Sequence, residues 1–178
     1  GNIIGNFASD GCILDRTSIW LDKLGQSVAD SRITLSLCPG DRRIVCGERF
    51  TRDGFRSKDY DLIKDGVLKS FCLSLYVANK SGFAPAGNSS FALVAEGGDT
   101  PYADMVKSIK RGLIVGRFSG GNPSVNGDFS GVAKNSFLVE DGVVKGAVSE
   151  TMISGNLADL LNSLVAISRE TVENGSSV

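Results

Sequence analysis

Leu62-Ile63-Lys64-Asp65-Gly66-Val67-Leu68-Lys69 is the stretch whose reading decides the fold. An Asp-Gly pair supplies the two positive-φ residues of a type I′ turn, so Tyr60 to Phe71 reads as two short strands folded back on each other. The same octapeptide pattern returns without a gap as Leu138-Val139-Glu140-Asp141-Gly142-Val143-Val144-Lys145. Each copy is preceded by a Phe with Asp and Gly beside it, at Asp53-Gly54-Phe55 and Gly127-Asp128-Phe129, and each is followed by a helix-like stretch. The chain therefore reads as a degenerate duplication of a hairpin–helix unit, with Gly66 and Gly142 as structural turn glycines.

Outward from the hairpins, Ile33, Leu35 and Leu37 alternate as a half-buried strand closed by Pro39-Gly40. Phe91–Val94 and Leu113–Val115 read as further strands. Helices are expected over Leu14–Leu24 with Gly25 as its end, from Thr100-Pro101 to near Gly112, and from an Asn156 N-cap with Leu157, Leu160, Leu161, Leu164 and Ile167 as its apolar face. Lys107, Lys110 and Arg111 then complement the end of the second helix. The 22 glycines in 178 residues favour a turn-rich protein. The expected fold is α+β: one domain over 1–178, predominantly antiparallel β-sheet, twisted or barrel-like, with a few flanking helices.

Composition narrows the chemistry. The chain has 19 Lys+Arg against 20 Asp+Glu, a net charge of -1, so no overall field recruits nucleic acid or an anionic membrane surface. No apolar run reaches the roughly 18–20 residues of a membrane helix. The histidine count is zero, which removes Ser-His-Asp, Cys-His and imidazole–zinc sites from anything this chain builds alone. Cys12, Cys38, Cys46 and Cys72 contain no C-x-x-C pair and are expected as buried, reduced thiols. Asp59 and Asp61 share one strand face and are read as facing water. No catalytic and no metal-ligating residue is singled out. The segment with binding character is Ser119 to Gly131, within which Gly120, Gly121, Asn122, Gly127, Asp128, Phe129 and Ser130 form a candidate peptide- or subunit-contact loop. It lacks the order of a phosphate-binding loop.

The order of motifs then becomes specific. Ser18-Ile19-Trp20-Leu21-Asp22-Lys23-Leu24-Gly25, Asp53-Gly54-Phe55, Asp65-Gly66-Val67-Leu68, Gly87-Asn88, Gly120-Gly121 through Gly127-Asp128-Phe129-Ser130-Gly131, and Ser149-Glu150 through Gly155-Asn156-Leu157 together resemble the C-terminal half of the TldD/PmbA family. That family is related to metalloproteases and is also called modulators of DNA gyrase. The resemblance implies a C-terminal domain of a longer protein, with an N-terminal domain upstream. The tail Asn174-Gly175-Ser176-Ser177 has no Cys, and this resembles the PmbA (TldE) branch, which lacks the zinc motif and pairs with TldD. It implies a non-catalytic subunit of a two-component zinc metallopeptidase acting on unfolded peptides in the cytoplasm. Zinc is then expected only in a TldD-like partner, and a homo- or hetero-oligomer is expected. Two other readings remain: an active TldD-like peptidase whose ligands lie in an upstream H-E-x-x-x-H, and a stand-alone peptide-binding module.

Overall fold

The structure, a computed structural model, describes residues 2–45 and 47–178; Cys46, one of the expected thiols, lies outside the described residues. Two helices open it, α1 (Asn2–Phe7) and α2 (Asp10–Leu14). The largest sheet comes next, built from β1 (Leu35–Leu37), β2 (Tyr60–Lys64), β3 (Val67–Leu68) and β4 (Leu93–Ala95) in the order β3-β2-β1-β4, with α3 (Leu75–Ser81) between β3 and β4. After α4 (Tyr102–Ser108) come β5 (Arg111–Ile114), β6 (Arg117–Gly120), β7 (Asp128–Lys134), β8 (Ser136–Glu140), β9 (Val143–Val148), β10 (Thr151–Asn156) and α5 (Leu157–Asn162). They form two three-stranded sheets, β10-β7-β6 and β5-β8-β9. All strand pairs among the named strands are antiparallel, and among the described residues no sheet closes into a barrel.

Both Asp-Gly hairpins are present as type I′ geometry requires. Asp65 and Gly66 have φ 51° and 75°; Asp141 and Gly142 have φ 48° and 75°. The repeat reaches further back than the octapeptide. Gly66 N–H donates to Ile33 O at 2.9 Å and Gly142 N–H donates to Ile109 O at 2.8 Å, in each case just before the strand that pairs with the hairpin. The repeated unit is thus a strand plus a hairpin, β1 with β2–β3 and β5 with β8–β9. The repeat stops at the hairpin's end, because β3 leads to α3 whereas β9 leads first to β10. Nor do the Phe segments correspond: Asp53-Gly54-Phe55 is a turn, and Asp128-Phe129 opens β7.

The expected helix over Leu14–Leu24 is a correction. Helix α2 ends at Leu14, Arg16 takes φ 54°, and residues 15–16 and 19–22 form turns. Ser18 explains the break, since its hydroxyl donates to Phe7 O and accepts from Trp20 N–H, a local bonding pattern that competes with helix. This turn places Trp20 against Phe7, ring centroids 4.9 Å apart, in the main core. Two other helices are shorter than expected. Helix α4 stops at Ser108, and Arg111 lies in β5 opposite Glu140, so it is no helix-end cation. Helix α5 stops at Asn162, so Leu164 and Ile167 do not extend its face.

The core is concentrated in the first half of the chain. Phe7, Trp20, Leu37, Leu62, Ile63, Leu68, Phe71 and Val77 are buried together, joined from the second half by Leu161. Burial of these apolar side chains supplies the main driving force for the fold. It also fixes α2, α3 and the largest sheet as a rigid base, on which a surface cleft is built.

Candidate functional site

The expected contact loop is split by the structure. Gly120 belongs to β6; Asp128, Phe129 and Ser130 belong to β7; Gly121, Asn122 and Gly127 lie in the connection. Gly120 and Gly131 face each other across the β6–β7 ladder. A Cβ on Gly131 would stand 2.5 Å from Phe118 Cζ, so the Phe118 ring lies over this glycine pair, and it meets Phe129 edge-on at 5.6 Å. The glycines here make room for aromatic cover, a known device for glycine in sheets.

Asp128 has local work as well. Its carboxylate accepts from Asn156 Nδ2 at 2.9 Å and from Asn126 Nδ2 at 2.8 Å, and these donors hold its pKa below the usual carboxylate value. Asn156 in turn caps α5, its Oδ1 accepting from Ala158 N–H and Asp159 N–H. Asn6 Nδ2 donates to Pro123 O and Ser124 O, and Leu157 N–H donates to Gly127 O. The connection therefore ties α1, β7 and the start of α5 together, while Gly121 and Asn122 stay exposed at its end. Asp59 and Asp61 act separately: Asp61 accepts from Ser36 Oγ at 2.7 Å and Asp59 from Gly40 N–H at 3.4 Å.

A cleft of about 650 Å³ is built from the first half of the chain, in the size range of ligand sites. Four separated segments line it: 9–11 at the start of α2, 51–60 leading into β2, 72–74 before α3, and 85–91 before β4. Sequence reasoning singles out no residue here as a site. The signal it holds is Asp53-Gly54-Phe55 and Gly87-Asn88, motifs that carry the family resemblance and that both prove to bear on the cleft.

The geometry shows why those residues are needed. Gly54, at φ 84°, closes a turn in which Thr51 N–H donates to Phe55 O at 2.7 Å and Phe55 N–H donates to Thr51 Oγ1 at 3.1 Å. Glu48 braces the turn, its Oε1 accepting from Ser57 Oγ and from Ser89 N–H. Buried Asn88 ties three segments: Nδ2 donates to Leu37 O at 3.0 Å and to Lys58 O at 2.9 Å, while Oδ1 accepts from Ser90. A Cβ at Gly87 would lie 2.9 Å from Lys58 O, so only glycine lets the two segments approach this closely.

Burial pushes the Cys72 thiol up to about 11 and raises the Tyr60 hydroxyl above its usual value, so both stay protonated at neutral pH. Asp10 accepts from Ser74 N–H at 2.9 Å and Asp53 from Leu75 N–H at 3.1 Å, so both carboxylates serve the first turn of α3. The donor set does not fit zinc: among the described residues no three His, Cys, Asp or Glu side chains come together as a ligand group. Cys12, Cys38 and Cys72 are free thiols, but only Cys12 is buried as expected; Cys38 and Cys72 are half-buried.

Open antiparallel sheets flanked by short helices, carrying a ligand-sized cleft, make this an α+β fold. The comparisons with known proteins place it further. The PmbA/TldA metallopeptidase C-terminal domain matches residues 1–178, and the chain belongs to that family. Metalloprotease PmbA of Escherichia coli O157:H7 is 28% identical over 183 residues, covering 100% of this chain and 40% of that protein. TldE from Thermococcus kodakarensis superposes with a TM-score of 0.79 at 27% identity, covering 94% of this chain and 41% of that one. A Bacteroides thetaiotaomicron protein proposed to modulate DNA gyrase gives a TM-score of 0.86 at 31% identity over 99% of this chain and 40% of its own. The chain thus spans about 40% of the length of the curated PmbA relatives it matches. Among the described residues no helix is long and apolar enough to cross a membrane.

Proposed function

We propose that this chain is the PmbA/TldE-like, non-catalytic part of a two-component zinc metallopeptidase that processes unfolded peptides in the cytoplasm, the zinc being held by a TldD-like partner. The observation that carries the reading is the cleft. It offers cations, aromatic rings and braced backbone, while its thiol and phenol are held protonated by burial and the chain has no histidine to activate a hydroxyl or a water. Such a surface can hold a peptide and has no group poised to cut it. The exposed end of the β6–β7 connection, Gly121 and Asn122, is the part of the candidate loop left free to meet a partner subunit or a peptide.

The test uses the full-length protein that contains this chain. Cleavage of an unfolded casein-derived peptide is measured with that protein alone, with a TldD-like protein alone and with the mixture, each with and without chelator. Chelator-sensitive cleavage only in the mixture is the expected result. Chelator-sensitive cleavage by the full-length protein alone would overturn it in favour of an active TldD-like enzyme. Peptide binding without any complex on mixing would favour a stand-alone module.

A further inference from the structure

We propose that the cleft captures the C-terminal carboxylate of a peptide whose last side chain is apolar or aromatic. The proposal deepens the peptide-processing reading and rests on it for the substrate class. Its basis is a group of cations without ion-pair partners. Arg52, Arg56 and Lys58 line the cleft and are exposed, and among the described residues none of them has a carboxylate within ion-pair distance. The carboxylates that share the cleft, Asp10 and Asp53, are turned onto the backbone amides of Ser74 and Leu75, where the start of α3 already supplies positive partial charge. Glu48, earlier in the same stretch of chain, is engaged by Ser57 and Ser89. The cations are left without an ion-pair partner, and their strongest match is a planar carboxylate, which guanidinium groups bind through paired N–H donors.

A second observation is apolar. Phe55, next to Arg56, and Phe91 are 55% and 66% exposed at the same cleft. In a C-terminal residue the carboxylate and the side chain leave one Cα, so neighbouring cationic and aromatic groups fit both at once. Every peptide ends in such a carboxylate whatever its sequence, so only the last side chain is selected, which agrees with a subunit that handles unfolded chains of many kinds.

The wall is also held in place before any ligand arrives. Arg52 N–H donates to Ser89 Oγ at 3.0 Å, Ser57 N–H to Arg49 O at 2.9 Å and Lys58 N–H to Gly87 O at 2.8 Å, so the 51–58 segment is braced from two sides. A braced wall loses little freedom on binding.

The test is fluorescence anisotropy with the full-length protein and three labelled hexapeptides: one ending in phenylalanine as the free acid, the same peptide amidated, and the amidated peptide with an internal aspartate. The free acid is expected to bind at least tenfold more tightly than its amide, and more weakly as salt is raised. Arg52→Ala with Arg56→Ala is expected to erase that preference, whereas Lys145→Ala on β9 leaves it intact. Phe91→Ala, which keeps every cation, is expected to weaken the free acid severalfold without changing the salt dependence. Equal affinity for acid and amide overturns the proposal, and so does full recovery of binding by the internal aspartate, which would make the site one for acidic side chains. Because binding is read without partner or zinc, acid-selective binding with no cleavage in the mixture would remove the peptidase reading and leave this site standing. Cleavage without acid selectivity would do the reverse.

Discussion

Gly66 and Gly142 occupy equivalent positions in two Asp-Gly turns, both at φ 75°, and each turn presses its glycine onto the backbone of the segment that precedes the paired strand. A Cβ at Gly66 would stand 2.4 Å from Ala29 O; at Gly142 it would stand 2.6 Å from Lys107 O. The two turns therefore lock strand β1 to β2–β3 and strand β5 to β8–β9 by close approach as well as by hydrogen bonds.

Replacing either glycine by alanine combines positive-φ strain with a clash against a carbonyl oxygen. Each variant is expected to lose at least about 1–2 kcal/mol of stability. Gly66→Ala should lose more, since it borders Leu68 and Ile63 in the core whereas β9 is largely exposed. Denaturant titration reads this directly. Unchanged midpoints in both variants would remove the idea that the repeat is a pair of glycine-dependent locks.

Arg32 links Asp30 to the segment after α5. Its guanidinium donates to both oxygens of Asp30 and to Leu164 O and Val165 O. These donors hold the Asp30 carboxyl at about 2. A depressed carboxyl pKa stabilises the fold above its ordinary unfolded value near 4, and the contribution is lost as pH falls through about 2. An NMR titration of the Asp30 carboxyl in Arg32→Ala should show the pKa returning toward the ordinary value, with the 163–167 segment exchanging its amides faster. A titration that stays near 2 would mean another group holds the charge.

Cys72 works at the other end of the pH scale. Its thiol is raised to about 11 by burial, so the folded protein keeps a proton that the unfolded chain releases near 9. Stability is full below pH 9 and falls as pH rises toward 11, a slope that Cys72→Ala should flatten. At pH 8 Cys72 should react with a thiol reagent only after unfolding. Tyr60→Phe removes a buried hydroxyl that faces the Cys72 thiol, a weak hydrogen-bond partner, keeps the ring, and should leave the melting temperature nearly unchanged. A clear loss of stability in that variant would mean that the hydroxyl makes a stronger bond in solution.

The parts of this fold that sequence reveals are those encoded locally. Asp65-Gly66 and Asp141-Gly142 fix turns by backbone sterics alone, and Asn156 caps α5 as its side-chain chemistry requires. The Leu14–Leu24 stretch misleads because its apolar residues serve different ends: Trp20 enters the core while Leu14, Ile19 and Leu24 remain over a third exposed. That division is decided by Phe7 and Ser18, not by spacing. The cleft is hidden for a related reason. Its walls come from segments far apart in the chain, and the residues that build it, Glu48, Gly87 and Asn88, are bracing groups whose purpose exists only once Leu37, Lys58 and Ser89 are brought beside them.

The candidate loop separates into a structural and a free part, which makes its role testable. Asn156→Ala removes the cap of α5 and one donor to Asp128, and is expected to cost about 1–2 kcal/mol. Asn122, exposed at the end of the connection, has no such bond among the described residues, so Asn122→Arg should leave the melting temperature within the usual scatter of surface substitutions. If this end of the loop meets a TldD-like subunit, the added bulk and charge should weaken complex formation at least tenfold in a titration of the full-length protein against that partner. If it does not, the complex forms as before, and subunit contact belongs to another surface. Asn156→Ala supplies the comparison: a loss of complex that tracks its loss of stability is a folding effect, whereas Asn122→Arg should lose the complex while remaining fully folded.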